Sequence, residues 1–344
     1  MEESPNNSNV CVTGGAGFIG SWLVKKLLEK GYTVHATLRD LEDKSKVGLL
    51  KSLPGADTRL VLFEADIYNP HQFEKPIQGC EFVFHVATPL QHDSRSSQFK
   101  DTAEAAVAAV RSIADSCIRS QTVKRLICTS SVMAASPLTK DGVGSKSCVD
   151  ESCWTPADIS FTPSIEFWQA YTKSKTMAEK EALSYNNDPD GKLEVVTLIC
   201  GVVGGETILP YMPSSVRELI SQLSGKSSSF EALRWFQQLL GSIPLVHIDD
   251  VCDAHIFCME KQSMRGRFVC VVGNLSIREI EKYFRENYPQ YQIDDQKFME
   301  DEGIEVVWDS SKLSNMGFQF KFDMKQILDD SVKCGQRLGV VFLK

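Results

Sequence analysis

No stretch of 18 uncharged apolar residues occurs in the 344-residue chain, so no membrane-spanning helix is expected. Basic clusters are missing as well. The chain carries 37 Lys and Arg against 45 Asp and Glu, a net charge of −8. Without a basic patch to offset that balance, nucleic acid and anionic membranes are excluded as expected partners. None of the eleven cysteines belongs to a Cys-x-x-Cys pair, and no ligand spacing suits zinc, so no metal is expected. Several cysteines sit in apolar runs (Cys11, Cys128, Cys200, Cys270), as reduced core cysteines of a cytosolic protein do. Cys148 and Cys153 are close enough in sequence to form a redox pair. The segment from Met1 to Asn9 has neither the basic nor the apolar region of a secretory signal, which makes the cytoplasm the expected location. Internal repeats and low-complexity tracts are also lacking.

What is present is ordinary globular composition, 42% apolar and 24% charged, arranged in a strand–helix rhythm. Apolar runs at 10–13, 33–38, 59–65, 81–86, 124–129 and 193–199 read as strands. Helical periodicity covers 18–30, with Trp22, Leu23, Leu27 and Leu28 on one face, then an alanine-rich stretch at 102–120, and a third stretch from Tyr171 through Leu183. Strands separated by helices predict an α/β fold: a doubly wound (Rossmann) parallel sheet. Beyond residue 200, Gly-, Pro- and Ser-rich segments alternate with short helices. The spacing predicts a dinucleotide-binding domain over 8–200, with 242–260 returning to it, and a smaller mixed substrate lobe over 201–241 and 261–344. Residues 245–247 are expected to add a strand to the main sheet, and Asp249 or Asp250 to cap the helix that runs to Glu260.

The first strand ends in Thr13-Gly14-Gly15-Ala16-Gly17-Phe18-Ile19-Gly20, which opens a helix. Two patterns overlap there: Gly15, Gly17 and Gly20 satisfy G-x-G-x-x-G, and Gly14, Gly17 and Gly20 a wider-spaced form. Glycine is needed because the turn takes unusual dihedrals and the pyrophosphate must approach bare backbone. The helix N-terminus then supplies free N–H groups and partial positive charge. The second strand ends Thr37-Leu38-Arg39-Asp40. Arg39 is placed to pair with a 2′-phosphate through its planar fork, with Lys44 or Lys46 adding charge, so NADPH is the expected cofactor. Asp40 could instead serve the ribose of NAD. Asp66 and Ile67, after the third strand, are expected beside the adenine. Val86, Ala87 and Thr88, after the fourth, are expected near the middle of the cofactor.

Thr129-Ser130-Ser131 closes the fifth strand, at the end where a doubly wound sheet binds its ligand. One of these serines, Ser131 or alternatively Ser130, is expected to hydrogen-bond a substrate carbonyl. Tyr171 and Lys175 stand four residues apart and share one helical face. A phenol beside a fixed ammonium is a proton donor whose pKa is drawn down from about 10. Serine, tyrosine and lysine in this arrangement, with a dinucleotide site upstream, point to carbonyl reduction: hydride from the cofactor and a proton from Tyr171. The expected partner is a small-molecule carbonyl compound, and the expected assembly a monomer or homodimer.

The glycine loop, Leu38-Arg39-Asp40, His85-Val86-Ala87-Thr88-Pro89, Thr129-Ser130-Ser131, Asp150-Glu151-Ser152-Cys153-Trp154, Tyr171 through Lys175 and Val246-His247-Ile248-Asp249-Asp250 together resemble the plant extended short-chain reductases. That group includes dihydroflavonol 4-reductase, anthocyanidin reductase and vestitone reductase. The resemblance runs from about Val10 to Gly339. It implies a cytosolic NADPH-dependent enzyme that reduces a carbonyl of a phenolic or other specialised metabolite. It also implies catalytic roles for Ser131, Tyr171 and Lys175, and places Ser130, Gly201 and Val203 beside the cofactor. Dihydroflavonol reductases carry Asn or Asp where Ser136 stands, and the family's proline is Gly201 here. Phe167-Trp168-Gln169-Ala170 before Tyr171 lacks the cinnamoyl-CoA reductase signature, which argues against thioester reduction. Pro89, Ser136, Trp168 and Tyr211, with Met212 and Phe236, are candidates for the substrate wall, with core packing as the competing reading. Two other functions fit the same glycine loop: a nucleotide-sugar epimerase or dehydratase that keeps NAD bound, and a non-catalytic cofactor-binding module.

Overall fold

The strand–helix alternation is realised in full in the computed structural model, which describes residues 8–90, 98–139, 144–156, 159, 166–187, 191, 193–293 and 303–341. Most of the polar N-terminal segment, residues 1–7, lies outside them. The strands among the described residues are β1 (Asn9–Thr13), β2 (Thr33–Leu38), β3 (Leu60–Glu64), β4 (Phe82–His85), β5 (Arg125–Ser131), β6 (Cys148–Val149), β7 (Glu194–Cys200), β8 (Val202–Gly204), β9 (Ile243–His247), β10 (Gly266–Cys270), β11 (Gly273–Leu275) and β12 (Val307–Trp308). Seven of them form one sheet in the order β10-β7-β5-β4-β1-β2-β3. The pairs β1–β2, β1–β4, β2–β3 and β4–β5 are parallel. The chain runs outward from β1 to β3, then restarts at β4 on the other side. That reversal is the switch point where doubly wound sheets bind ligands.

The chain divides into two units. The first comprises Met1–Ser130, Lys173–Leu198 and Cys252–Arg267. Its sheet is apolar on both faces: Val10, Cys11, Val12, Val83, Phe84, Leu126 and Ile127 are almost wholly buried. Cys11, Val83 and Leu126 share one core with Phe73, Ile77 and Ile113, the last of these from the helix Thr102–Ser120. Two buried arginines tie the sheet to its helices. Arg125, 2% exposed, bonds to Glu194 and to the carbonyls of Cys258 and Lys261. Arg267 pairs with Glu179 through Nε and Nη2, each at 3.0 Å, and Thr197 donates to the same carboxylate at 2.6 Å. Removing one partner from such a pair leaves an uncompensated buried charge, typically at a cost of ~3–5 kcal/mol.

The second unit comprises Ser131–Thr172, Ile199–Val251 and Phe268–Lys344. It holds a three-stranded sheet, β11-β9-β8, with β9 antiparallel to β11 and parallel to β8, and the short parallel pair β6–β12. This corrects one expectation. The strand at 245–247 does not join the main sheet; it is the middle of the small one. The place beside β7 is taken by β10, which the Arg267–Glu179 pair anchors. Neither Asp249 nor Asp250 caps the next helix as expected: it runs Ile248–Glu260 with both inside its first turn, where His247 Nδ1 accepts Asp249 N at 3.1 Å, and Asp250 acts over a longer range. Its carboxylate accepts the N–H groups of Lys321 at 3.0 Å and Phe322 at 3.2 Å.

Candidate active site

In the first unit the glycine loop is shaped by contacts that leave no room for side chains. Gly14 has φ +69°, and a Cβ there would lie 2.9 Å from Ala87 Cα. A Cβ on Gly20 would lie 2.1 Å from Gly14 O. Gly15 N donates to Thr37 O, and Gly17 N to Gly14 O. The helix Phe18–Glu29 starts directly after Gly17, and no side chain caps it. Its first-turn N–H groups, including those of Phe18 and Ile19, are therefore left for a ligand or for water. Narrow bare backbone under an uncapped helix start is a cradle that fits a pyrophosphate.

Thr13 fastens this loop to the end of β4. Its Oγ1 accepts the N–H groups of both Val86 and Ala87 at 3.1 Å, and it lies 2.9 Å from His85 Nδ1. With its lone pairs taken by two donors, the hydroxyl proton goes to Nδ1, and the network assigns the imidazole proton to Nε2. Burial, aided by the nearby Lys175 charge, lowers the His85 pKa to about 3, so this ring is neutral across the physiological range.

Beyond β2, Arg39 and Asp40 are exposed. The Asp40 carboxylate accepts Glu42 N at 2.7 Å. Lys46 pairs with Asp43 at 2.9 Å, and that contact holds the Asp43 carboxyl below its usual range. Asp66 accepts Tyr68 N at 3.0 Å, while Ile67 is buried in the core. Lys175 is 7% exposed. Its Nζ donates to Thr88 Oγ1 at 2.8 Å and to Thr129 O at 2.9 Å. Beside it lies a small cavity of about 30 Å³, lined by His85, Thr88, Pro89, Ser130, Ser174 and Lys175 among others. The Ser130 and Ser174 hydroxyls are buried there without a hydrogen-bond partner.

In the second unit, Ser131 hydrogen-bonds Tyr171, and its Oγ accepts Met133 N at 3.2 Å. Of the two serines left open by the sequence, Ser131 is thus the one joined to the phenol. The Tyr171 pKa is not lowered: burial pushes it up to about 12, with Cys200 and Glu218 adding to the rise, and the Ser131 bond pulls the other way. Desolvation outweighs the Ser131 bond, and the Lys175 ammonium, expected to draw the phenol down, is not among the main groups that shift it. Glu218, 5% exposed, lies on the helix Ser214–Leu219, and burial pushes its carboxyl up to about 8 against the pull of Arg217. The sequence reading missed it, and nothing in Val216-Arg217-Glu218-Leu219 signals a buried acid.

Trp168 stands next to Tyr171 in an aromatic cluster. It meets Tyr171 edge-on at 5.8 Å and Phe236 edge-on at 4.6 Å, and it stacks on Trp235 at 6.4 Å. Ser136 is 1% exposed and its hydroxyl has no partner. Tyr211 is exposed. Gly201 gives its N–H to Cys270 O, and Val203 is buried with its carbonyl accepting Ser215 Oγ at 2.7 Å. Cys148 is exposed and Cys153 buried, both as free thiols. Lys146 Nζ donates to Cys153 Sγ at 3.3 Å. Among the described residues no group of three or more His, Cys, Asp or Glu is arranged to hold a metal ion, and no helix is long and apolar enough to cross a membrane.

A glycine cradle at the switch point of a parallel sheet, with Tyr171 and Lys175 four residues apart on the continuous helix Glu166–Ser184, defines a nucleotide-dependent enzyme class. The chain belongs to the NAD dependent epimerase/dehydratase family, which it matches over residues 10–273. Within it, the chain is 37% identical to an anthocyanidin reductase ((2S)-flavan-3-ol-forming) of Vitis vinifera, over 96% of each chain. It is 35% identical to the dihydroflavonol 4-reductase of Callistephus chinensis, over 98% of this chain and 88% of that one. The crystal structure of vestitone reductase from alfalfa superposes with a TM-score of 0.78 at 34% identity, over 97% of this chain and 100% of that one.

Proposed function

We propose that the protein is an NADPH-dependent reductase that transfers hydride to a carbonyl carbon of a small aromatic specialised metabolite. The observation that carries this reading is the Ser131–Tyr171 hydrogen bond, made by two residues of the required types at the required spacing from Lys175. Named reductases of flavonoids at 35–37% identity along almost the whole chain support it.

The cofactor, when bound, supplies the hydride. Gly14, Gly17 and Gly20 with the uncapped helix start would hold its pyrophosphate, and exposed Arg39 would meet its 2′-phosphate. Ser131 and Tyr171 donate hydrogen bonds to the carbonyl oxygen as negative charge develops there. Tyr171 then gives up its proton, and a fixed ammonium at Lys175 favours the phenolate left behind. Trp168 supplies an aromatic wall for a flat substrate. Residues 8–200 with 242–260 are proposed to carry the cofactor, and 201–241 with 261–344 to shape the substrate site. The enzyme works in the cytosol as a monomer or homodimer.

The test is NADPH consumption by the purified protein against dihydroflavonols, anthocyanidins, isoflavanones and cyclic ketones or imines. Turnover is expected with at least one class. A flat response throughout, together with tightly held NAD released on denaturation, overturns the reading in favour of an epimerase or dehydratase.

A further inference from the structure

The Lys175 side chain has four rotatable bonds and a cavity at its flank. Two hydroxyls without partners, Ser130 Oγ and Ser174 Oγ, line that same cavity. The buried ammonium is turned to Thr88 Oγ1 at 2.8 Å and Thr129 O at 2.9 Å. Thr129 O is backbone and fixed by the strand. Thr88 is different, because its position depends on how the chain leaves β4, and that exit is held by the two N–H groups that Thr13 accepts from Val86 and Ala87. A short chain of bonds therefore runs from the glycine loop through the end of β4 to the lysine.

We propose that Thr88 is a positioning residue for the reduction: its hydroxyl, set in place by the Thr13 clamp, holds the Lys175 ammonium in one orientation. The sequence places Thr88 near the cofactor, whereas the geometry gives it a partner in the catalytic set. The inference rests on the reductase reading for its consequence in turnover, but not for the bond itself.

The experiment compares Thr88→Val, which keeps the shape and removes the acceptor, with Thr88→Ser, which keeps the hydroxyl. Limited acetylation of the cofactor-free protein, read at Lys175 by mass spectrometry, reports how firmly the amine is held. A hydrogen bond to a charged group governs about a tenfold preference or more. Labelling is expected about tenfold faster in Thr88→Val, and within about twofold of wild type in Thr88→Ser. With carbonyl substrate, kcat of Thr88→Val is expected to fall about tenfold, with KM moving less than about twofold and Thr88→Ser restoring the rate. Should Thr88→Val fail to fold, Thr88→Ala takes its place in both assays. Unchanged labelling overturns the proposal, and so does faster labelling without loss of kcat. A wild-type protein that turns over nothing defeats the reductase reading instead, while the labelling result still decides whether Thr88 holds the lysine.

Discussion

In the first unit the groups that meet Lys175 and the end of β4 are bonded, with the Ser130 and Ser174 hydroxyls as exceptions. The ammonium has Thr88 and Thr129, Thr129 Oγ1 lies 2.7 Å from His255, and Thr13 holds the end of β4. The second unit is less settled. Ser136 Oγ, Ser221 Oγ and Thr155 Oγ1 are buried without partners, and Glu218 is a buried acid whose proton comes off only near pH 8. Buried polar groups without partners cost about 1–3 kcal/mol each, so they persist where something else meets them or where function needs them. In the proposed division of labour the first unit meets the same cofactor at every turnover, so its bonds can be set before binding. The second unit, proposed to shape the substrate site, would keep donors and acceptors in reserve for the molecule it selects.

The largest expected effect tests the less settled side. Tyr171→Phe removes the proton donor and leaves the aromatic contact with Trp168 at 5.8 Å. General acid catalysis contributes about 10²- to 10⁴-fold, so kcat is expected to drop by that factor with NADPH affinity unchanged in a fluorescence titration. Equal loss of cofactor affinity would mean that the two sides are not separate in function.

Glu218→Gln comes next. A glutamate carboxyl in water ordinarily titrates near 4.5, and burial in the folded chain raises this one to about 8. Its neutral form is favoured by folding, so that contribution to stability is complete below pH 4.5 and is lost as the pH rises toward 8. The interval is about 3.5 pH units, and at about 1.4 kcal/mol for each the ceiling is on the order of 5 kcal/mol. Glutamine keeps the shape and never ionises. Thermal unfolding is expected to show wild type and Glu218→Gln alike at pH 5, with the variant more stable at pH 8.5. Identical melting curves at both values would place Glu218 in a well-solvated setting and weaken the contrast between the two units.

How far the sequence carries this contrast depends on range. The glycine loop, the i, i+4 pair of Tyr171 and Lys175, and the strand–helix alternation are local patterns, each requiring particular residue types within about a dozen positions, and they are legible. The choice of Ser131 over Ser130 turns on which way the last residues of β5 face, which alternation alone leaves open. The bond from Lys175 to Thr88 spans 87 positions. The burial of Glu218 depends on what packs over one short helix. The sheet to which β9 belongs is settled by competition for the position beside β7, won by β10 through Arg267. None of these leaves a local mark.

The smallest expected effect concerns the settled side and its choice of cofactor. Of the charged groups that follow β2, the structure commits Asp40 to Glu42 N at 2.7 Å and Lys46 to Asp43 at 2.9 Å. Arg39 is exposed and makes no ion pair among the described residues. If cofactor choice rests on Arg39, then Arg39→Ser weakens NADPH about tenfold, the scale of one charge-assisted hydrogen bond, and leaves NADH unchanged. Asp40→Ala changes neither cofactor. Because the site is exposed, the Arg39 effect shrinks as salt rises past a Debye length of about 8 Å near 0.15 M. Fluorescence titrations with both cofactors at two salt concentrations check each part. A Lys46→Ala variant that loses as much NADPH affinity as Arg39→Ser would show that the Asp43 pair opens on binding, and the prearrangement claimed for this side would then stop short of its 2′-phosphate end.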